Sequence, residues 1–195
     1  MVVFDFDGVV RHWYEHDTLD VERRHGLPDG SLMAAAFGPE LGEAVVTGQV
    51  GHEQWFARIA ELVGSAEAVA EWSSHRGEVD PDAVVLIDEL RTLGLTVALL
   101  SNATTRLEED LEVLGLTSRL DVVFNTARLG VCKPNPAVYQ QVVERLGVPG
   151  PQVVFTDDHP GWAAAAGAAD IRGIPFVGVS ALRTSLQELG VPVAS

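Results

Sequence analysis

From residue 80 onward, short β-rich runs alternate with amphipathic helical segments, and this alternation restricts the fold more than any other feature of the chain. Asp80-Pro81 reads as an N-cap and first helical position, followed by an apolar stripe of Val84, Ile87, Leu90 and Leu93 before Gly94. Residues 96–100 form a β-rich run ending at Ser101. Thr105 and Glu108 have capping-box spacing ahead of Leu107, Leu111 and Leu114. Residues 122–124 read as another strand, and Asn135-Pro136 opens a helix carrying Val138, Val142 and Leu146 that Gly147 stops. A strand over 153–156, an Ala-rich helix from Trp162, a strand over 176–179 and a last helix over 181–189 complete the pattern. With the opening run at 1–4, these segments predict an α/β fold: a Rossmann-like parallel sheet of about five strands, covered by helices on both faces.

Residues 14–79 have a different character. Helical patterns such as 53–62 dominate, broken at Gly38, Gly42, Gly48 and Gly51, and no convincing strand stands out. An all-helical stretch between the first and second strands predicts an inserted cap over 14–79, with the catalytic core formed by 1–13 and 80–195.

The length of 195 residues suits one domain or one domain with an insertion. A net charge of −15 argues against nucleic acid or an anionic membrane as partner. Cys132 is the sole cysteine, so no internal disulfide can form and a reducing compartment is expected. The opening residues lack signal-peptide character and no apolar run reaches membrane length, so the chain reads as cytoplasmic.

Two acidic pairs carry the chemistry. Asp5-Phe6-Asp7-Gly8 closes the first apolar run and Asp157-Asp158 closes the run at 153–156. Ligands of open parallel sheets bind outside the strand carboxyl ends. If both runs lie in one sheet, four carboxylates meet there, and mutual repulsion with desolvation calls for a hard divalent cation such as Mg²⁺. Singly, each motif is ordinary: Asp-x-Asp serves turns, Ser101-Asn102 suits a helix start, and a lone lysine such as Lys133 is commonly solvated.

In this order, however, the motifs resemble the haloacid dehalogenase-like hydrolase superfamily, in its phosphatase-type branch with a helical cap. Asp5 to Val10 is similar to the first family motif and Leu99-Leu100-Ser101-Asn102 to the second. Lys133-Pro134-Asn135-Pro136 with Tyr139 is similar to the third, and Phe155-Thr156-Asp157-Asp158 to the fourth. The nearest subgroup contains bacterial sugar-phosphate phosphatases and the N-terminal phosphatase domain of soluble epoxide hydrolase.

The resemblance implies Asp5 as nucleophile and Asp7 as acid and base. It implies Mg²⁺ held by Asp5, the Asp7 carbonyl and Asp158, with Asp157 assisting. Ser101, Asn102 and Lys133 would receive the phosphate. Because Mg²⁺ and Lys133 leave the four carboxylates under-neutralised, one carboxyl should keep its proton, and Asp7 is the expected one. Asp7 also disfavours carbon–halogen cleavage, since dehalogenases proper carry a non-acidic residue there. His159 to Trp162 and Asp170 depart from the usual pattern.

His12, Trp13 and His52 are further candidates for substrate contact, although a structural role is the ordinary one for each histidine. The segment Thr47-Gly48-Gln49 resembles a cap loop that reads substrate. Trp55, Phe56 and Ile59 read as cap core, Cys132 as a small buried side chain, and Glu108-Glu109-Asp110 with Glu112 as a solvated helix face. The chain is thus expected to be a Mg²⁺-dependent phosphatase of a small phosphorylated metabolite such as a sugar phosphate. A phosphomutase or a non-catalytic metabolite-binding protein of the same fold are the alternatives.

Overall fold

The computed structural model describes residues 1–194. Its strands are β1 (Val2–Phe4), β2 (Arg11–His12), β3 (Glu78–Val79), β4 (Val97–Ser101), β5 (Val122–Asn125), β6 (Val154–Asp157) and β7 (Arg172–Pro175). Five of them form one parallel sheet in the order β5-β4-β1-β6-β7. β1 lies at its centre, with Phe4 opposite both Leu99 and Thr156.

Alternation along the central strands splits the core into two layers. Val2, Phe4, Val97 and Leu99 pack with Leu86, Ile87, Leu90, Leu182 and Leu186 on one face. Val3, Ala98, Leu100, Phe124 and Phe155 pack with Val138, Tyr139 and Val142 on the other. Burial on both faces is why these strands read as apolar runs rather than alternating ones. A fully buried ring such as Phe4 stabilises the fold by about 1.5–3 kcal/mol. Asp80 and Asn135 cap their helices as expected, Asp80 accepting from the N–H groups of Asp82 and Ala83 and Asn135 from that of Ala137.

The segment between β2 and β3 is helical: Glu15–Arg24, Ser31–Phe37, Gly42–Val46, His52–Val63 and Ala66–Ser74. These helices enclose a core of their own, including Val21, Leu32, Val45, Trp55, Ile59 and Val69. Among the described residues no helix is long and apolar enough to cross a membrane.

Four local expectations are corrected. β7 occupies Arg172–Pro175 rather than 176–179, and Val179 instead begins the last helix, Val179–Glu188. As an edge strand, β7 needs no apolar alternation, while the β-branched Val177 that suggested a strand is 81% exposed. The Thr105/Glu108 capping box does not form: the helix is Leu107–Val113, without a side-chain cap. Thr105 Oγ1 instead accepts from His52 N, and Glu108 accepts from Asn125 Nδ2. Finally, the stretch 14–79 does contain a strand, β3, which pairs antiparallel with β2 at the base of the insert.

Candidate active site

The central register places Asp5 and Asp157 side by side at the carboxyl edge, because Phe4 pairs with Thr156 and Asp5 N donates to Thr156 O at 2.9 Å. Lys133, whose side chain is fully buried, lies between them: its Nζ is 2.7 Å from Asp5 Oδ1 and 2.7 Å from Asp157 Oδ2. Asp5 Oδ1 also accepts from Phe6 N at 2.7 Å, and Asp157 Oδ1 from His159 N at 2.8 Å. Asp158 completes the cluster, with one carboxylate oxygen from each of Asp5, Asp157 and Asp158 within 4.8 Å of the others. The turn at Gly8 (φ +83°) permits this approach, since a Cβ there would collide with the Asp158 carboxylate.

Burial pushes the Asp5 carboxyl up to about 7; Lys133 opposes that rise and Asp157 adds to it. Burial and then Asp157 also raise Asp158. One lysine between crowded carboxylates leaves excess negative charge, and the donors are all oxygen. That set fits a hard cation.

Asp7 lies to one side of this cluster. Its carboxylate accepts from Arg11 Nε at 2.7 Å, Arg11 Nη2 at 3.2 Å and Trp13 Nε1 at 2.7 Å. The guanidinium also lies 4.1 Å from the Phe6 ring centroid and 4.6 Å from that of Trp13. The raised carboxyls of the site are Asp5 and Asp158, while Asp7 is the ion-pair partner of Arg11.

Ser101 is buried at the end of β4 and, with Asp5, Asp7, Asn102, Asp158 and Trp162, lines a pocket of about 400 Å³. Both ends of the Asn102 amide hold the backbone of Lys133: Nδ2 donates to its O at 2.9 Å and Oδ1 accepts from its N at 2.8 Å. Asn102 thus positions the lysine. The unusual His159 to Trp162 stretch supplies a wall, with the two rings stacked at 4.9 Å and Lys133 Nζ 4.9 Å from the Trp162 centroid. Asp170 adopts a left-handed φ of 57°, which accounts for a glycine being usual there.

A second cavity, of about 620 Å³, opens beside the first and shares Asp7 and Asn102 with it. Trp13 and His52 line it, and so do Trp55 and Phe56, which serve as wall as well as core of the insert. His12 lines neither cavity: its Nε2 is 3.0 Å from Asp80 Oδ2, a structural tie at the base of the insert. Thr47-Gly48-Gln49 lines neither one, and a Cβ on Gly48 would strike the Ala127 carbonyl, so this loop is a packing contact between insert and core. Cys132 is only partly buried, and burial raises its thiol.

Sequence reasoning missed one cluster entirely. Asp110, read as part of a solvated face, is buried among Arg11 (3.3 Å), Arg76 (3.4 Å) and Arg106 (3.1 Å). Only the separation of Asp110 from Arg106 by one helical turn hinted at it; the other two arginines arrive through the tertiary fold.

A family model for haloacid dehalogenase-like hydrolases matches residues 1–170. A phosphatase from Mycobacterium tuberculosis is 28% identical over 182 residues, covering 88% of this chain and 84% of the relative. An (S)-2-haloacid dehalogenase from a Pseudomonas species is 34% identical over 95 residues, covering 48% of this chain and 42% of that protein. Among solved structures, a family enzyme from Bacteroides thetaiotaomicron in complex with magnesium and inorganic phosphate superposes with a TM-score of 0.75. It is 18% identical and the match covers 89% of this chain and 92% of the other, which establishes a shared fold.

Proposed function

Because this chain belongs to the haloacid dehalogenase-like hydrolase family, we propose that it hydrolyses a small phosphate monoester through a phosphoryl group carried on Asp5. The observation that carries the reading is the buried Lys133 ammonium held between Asp5 and Asp157, with Asp158 within reach of the same ion. That is a preorganised anion and cation site, and phosphoryl transfer depends mainly on positioning and electrostatic stabilisation. The Bacteroides structural relative, solved with magnesium and phosphate, supports Mg²⁺ as the ion. Asp5, Asp157, Asp158 and the Asp7 carbonyl would hold it, and it would supply charge neutralisation for the phosphoryl oxygens.

In the first step an Asp5 carboxylate oxygen attacks phosphorus, the ester P–O bond breaks, and the departing alkoxide takes a proton from Asp7. In the second, Asp7 takes a proton from water, the resulting hydroxide attacks phosphorus, and the Asp5–phosphoryl bond breaks to release inorganic phosphate. Ser101 and Lys133 bind the phosphoryl oxygens. The helical insert acts as a cap that excludes bulk water while Arg11 releases Asp7.

Asp7 and the second acidic pair favour phosphate esters over haloacids, despite the dehalogenase relative. Hydrolysis is favoured over mutase chemistry because the arginines lining the adjoining cavity, Arg11 and Arg106, are already paired with Asp7 and Asp110 rather than turned to a second phosphate. The test is a Mg²⁺-dependent screen of phosphorylated metabolites and 2-haloacids, with Asp5→Asn as control. Phosphate release that disappears in Asp5→Asn is expected; halide release, or phosphate release unaffected by Asp5→Asn, defeats the reading.

A further inference from the structure

We propose that the 620 Å³ cavity beneath the insert holds the alcohol portion of the substrate, and that it takes a flat, apolar, aryl-bearing alcohol with a single polar group rather than a polyhydroxylated sugar. The inference rests on the phosphatase reading of the adjoining pocket and names the substrate class it implies. Continuity is the first argument. The two cavities share Asp7, the residue that would protonate the departing oxygen, so an ester bound at Asp5 projects its alcohol into the larger space. The volume lies within the usual range for small-molecule sites.

The walls set the chemistry. Trp13, Phe37, Trp55, Phe56 and Trp72 converge on the cavity, with Trp55 and Phe56 stacked at 5.3 Å and 20°. Trp13 and Phe37 are 43% and 48% exposed, an apolar surface left open at this place. Aromatic rings of this kind accept a flat apolar partner.

Of the arginines and acids around the cavity, all but the exposed Glu15 are already engaged. Glu22 accepts from Gly30 N at 2.6 Å and Leu32 N at 2.7 Å. Arg11 is held by Asp7 and Asp110, and Arg106 by Asp110. A sugar entering here would lose water hydrogen bonds from each hydroxyl and find few replacements.

Among the described residues that line the cavity, one buried polar atom has neither a hydrogen bond nor an ion-pair partner. His52 Nε2 is buried without a hydrogen bond, while Nδ1 is 3.0 Å from Thr104 Oγ1. The ring lies between aromatic neighbours, 4.0 Å from the Phe56 centroid and 5.7 Å from that of Trp55. Desolvation first, then Arg106, lowers its pKa to about 4, so a neutral imidazole presents one open hydrogen-bonding site. A hydroxyl satisfies that site whichever tautomer is present.

The experiment compares kcat/KM, with Mg²⁺, for 2-(4-hydroxyphenyl)ethyl phosphate, 2-phenylethyl phosphate, glycerol 3-phosphate and glucose 6-phosphate. All four are esters of primary alcohols, which holds leaving-group acidity roughly constant. Both aryl esters are expected to exceed the polyol esters by about tenfold or more. Phe37→Ser, at a half-exposed site that folding tolerates, should cut that ratio about tenfold, with an unchanged melting transition verifying the fold. His52→Phe should erase the preference for the hydroxyphenyl over the phenyl ester. Polyol esters turned over as well as the aryl esters, or a ratio indifferent to Phe37→Ser, overturn this inference and leave the phosphatase intact. No turnover of any ester defeats the phosphatase reading and this inference together.

Discussion

At the carboxyl edge of the sheet, buried Lys133 is matched by two carboxylates, whereas in the adjoining cavity His52 Nε2 is buried beside aromatic rings without a hydrogen-bond partner. The first region is polar and crowded with like charge, and its side chains restrain one another before any ligand arrives. The second is apolar, roomy and unsatisfied at one atom. On the proposed reading the difference separates two tasks: the pocket at Asp5 would take the reacting group common to many substrates, and the cavity beside it whatever distinguishes one substrate from another.

The largest expected effect breaks the first region. Asp5→Asn should lower phosphate release by about 10³-fold or more, as measured by steady-state turnover; a loss under tenfold would return the cluster to a structural role. Next comes Lys133→Met, which leaves Asp5 and Asp157 buried without their counter-charge. A destabilisation of about 3–5 kcal/mol is expected from urea unfolding, partly recovered by added Mg²⁺. An unchanged midpoint in metal-free buffer would show that the carboxylates do not depend on that ammonium.

The two regions should also differ in the sign of their pH response. Asp5 binds its proton more tightly folded, at about 7, than unfolded, near 3.8. The stability it contributes is therefore complete below pH 3.8 and lost as pH rises through 7, and Asp5→Asn should flatten that decline in the metal-free protein. His52 binds its proton less tightly folded, at about 4, than unfolded, near 6.5. Its contribution is complete above pH 6.5 and lost as pH falls through 4, and His52→Phe should flatten that limb. Urea midpoints across pH 3.5–8 for wild type and both variants test this, and equal slopes in all three would refute it.

The smallest effect is expected at His12, outside both cavities. His12→Asn should cost less than about 1 kcal/mol and leave kcat/KM unaltered; a marked rise in KM would put this histidine back among the substrate contacts.

Much of the site was legible because its residues sit at strand ends, where chain order and sheet topology together bring Asp5 and Asp157 to one edge. Lys133 was legible by motif, yet nothing local revealed that its ammonium would be wholly buried between them. The helix of Asp110 was misread for a related reason. A row of acids looks solvated by pattern, but one member turns inward to meet arginines 4 to 99 positions away in the chain. β7 was misplaced because an edge strand carries no two-sided apolar signature, while exposed Val177 imitated one.

The amino-acid order by itself determined the parallel α/β core, the helical insertion and the residues gathered at the sheet edge, because β and helical periodicities and the cap and turn residues act over a few positions. Only the folded chain decided that Arg11 holds Asp7, that His12 ties down the insert, and that five aromatic residues from four segments line one cavity with His52 at its wall. Those outcomes depend on side chains distant in sequence meeting at close range, where burial and pairing energies that no local pattern encodes determine which partner each group keeps.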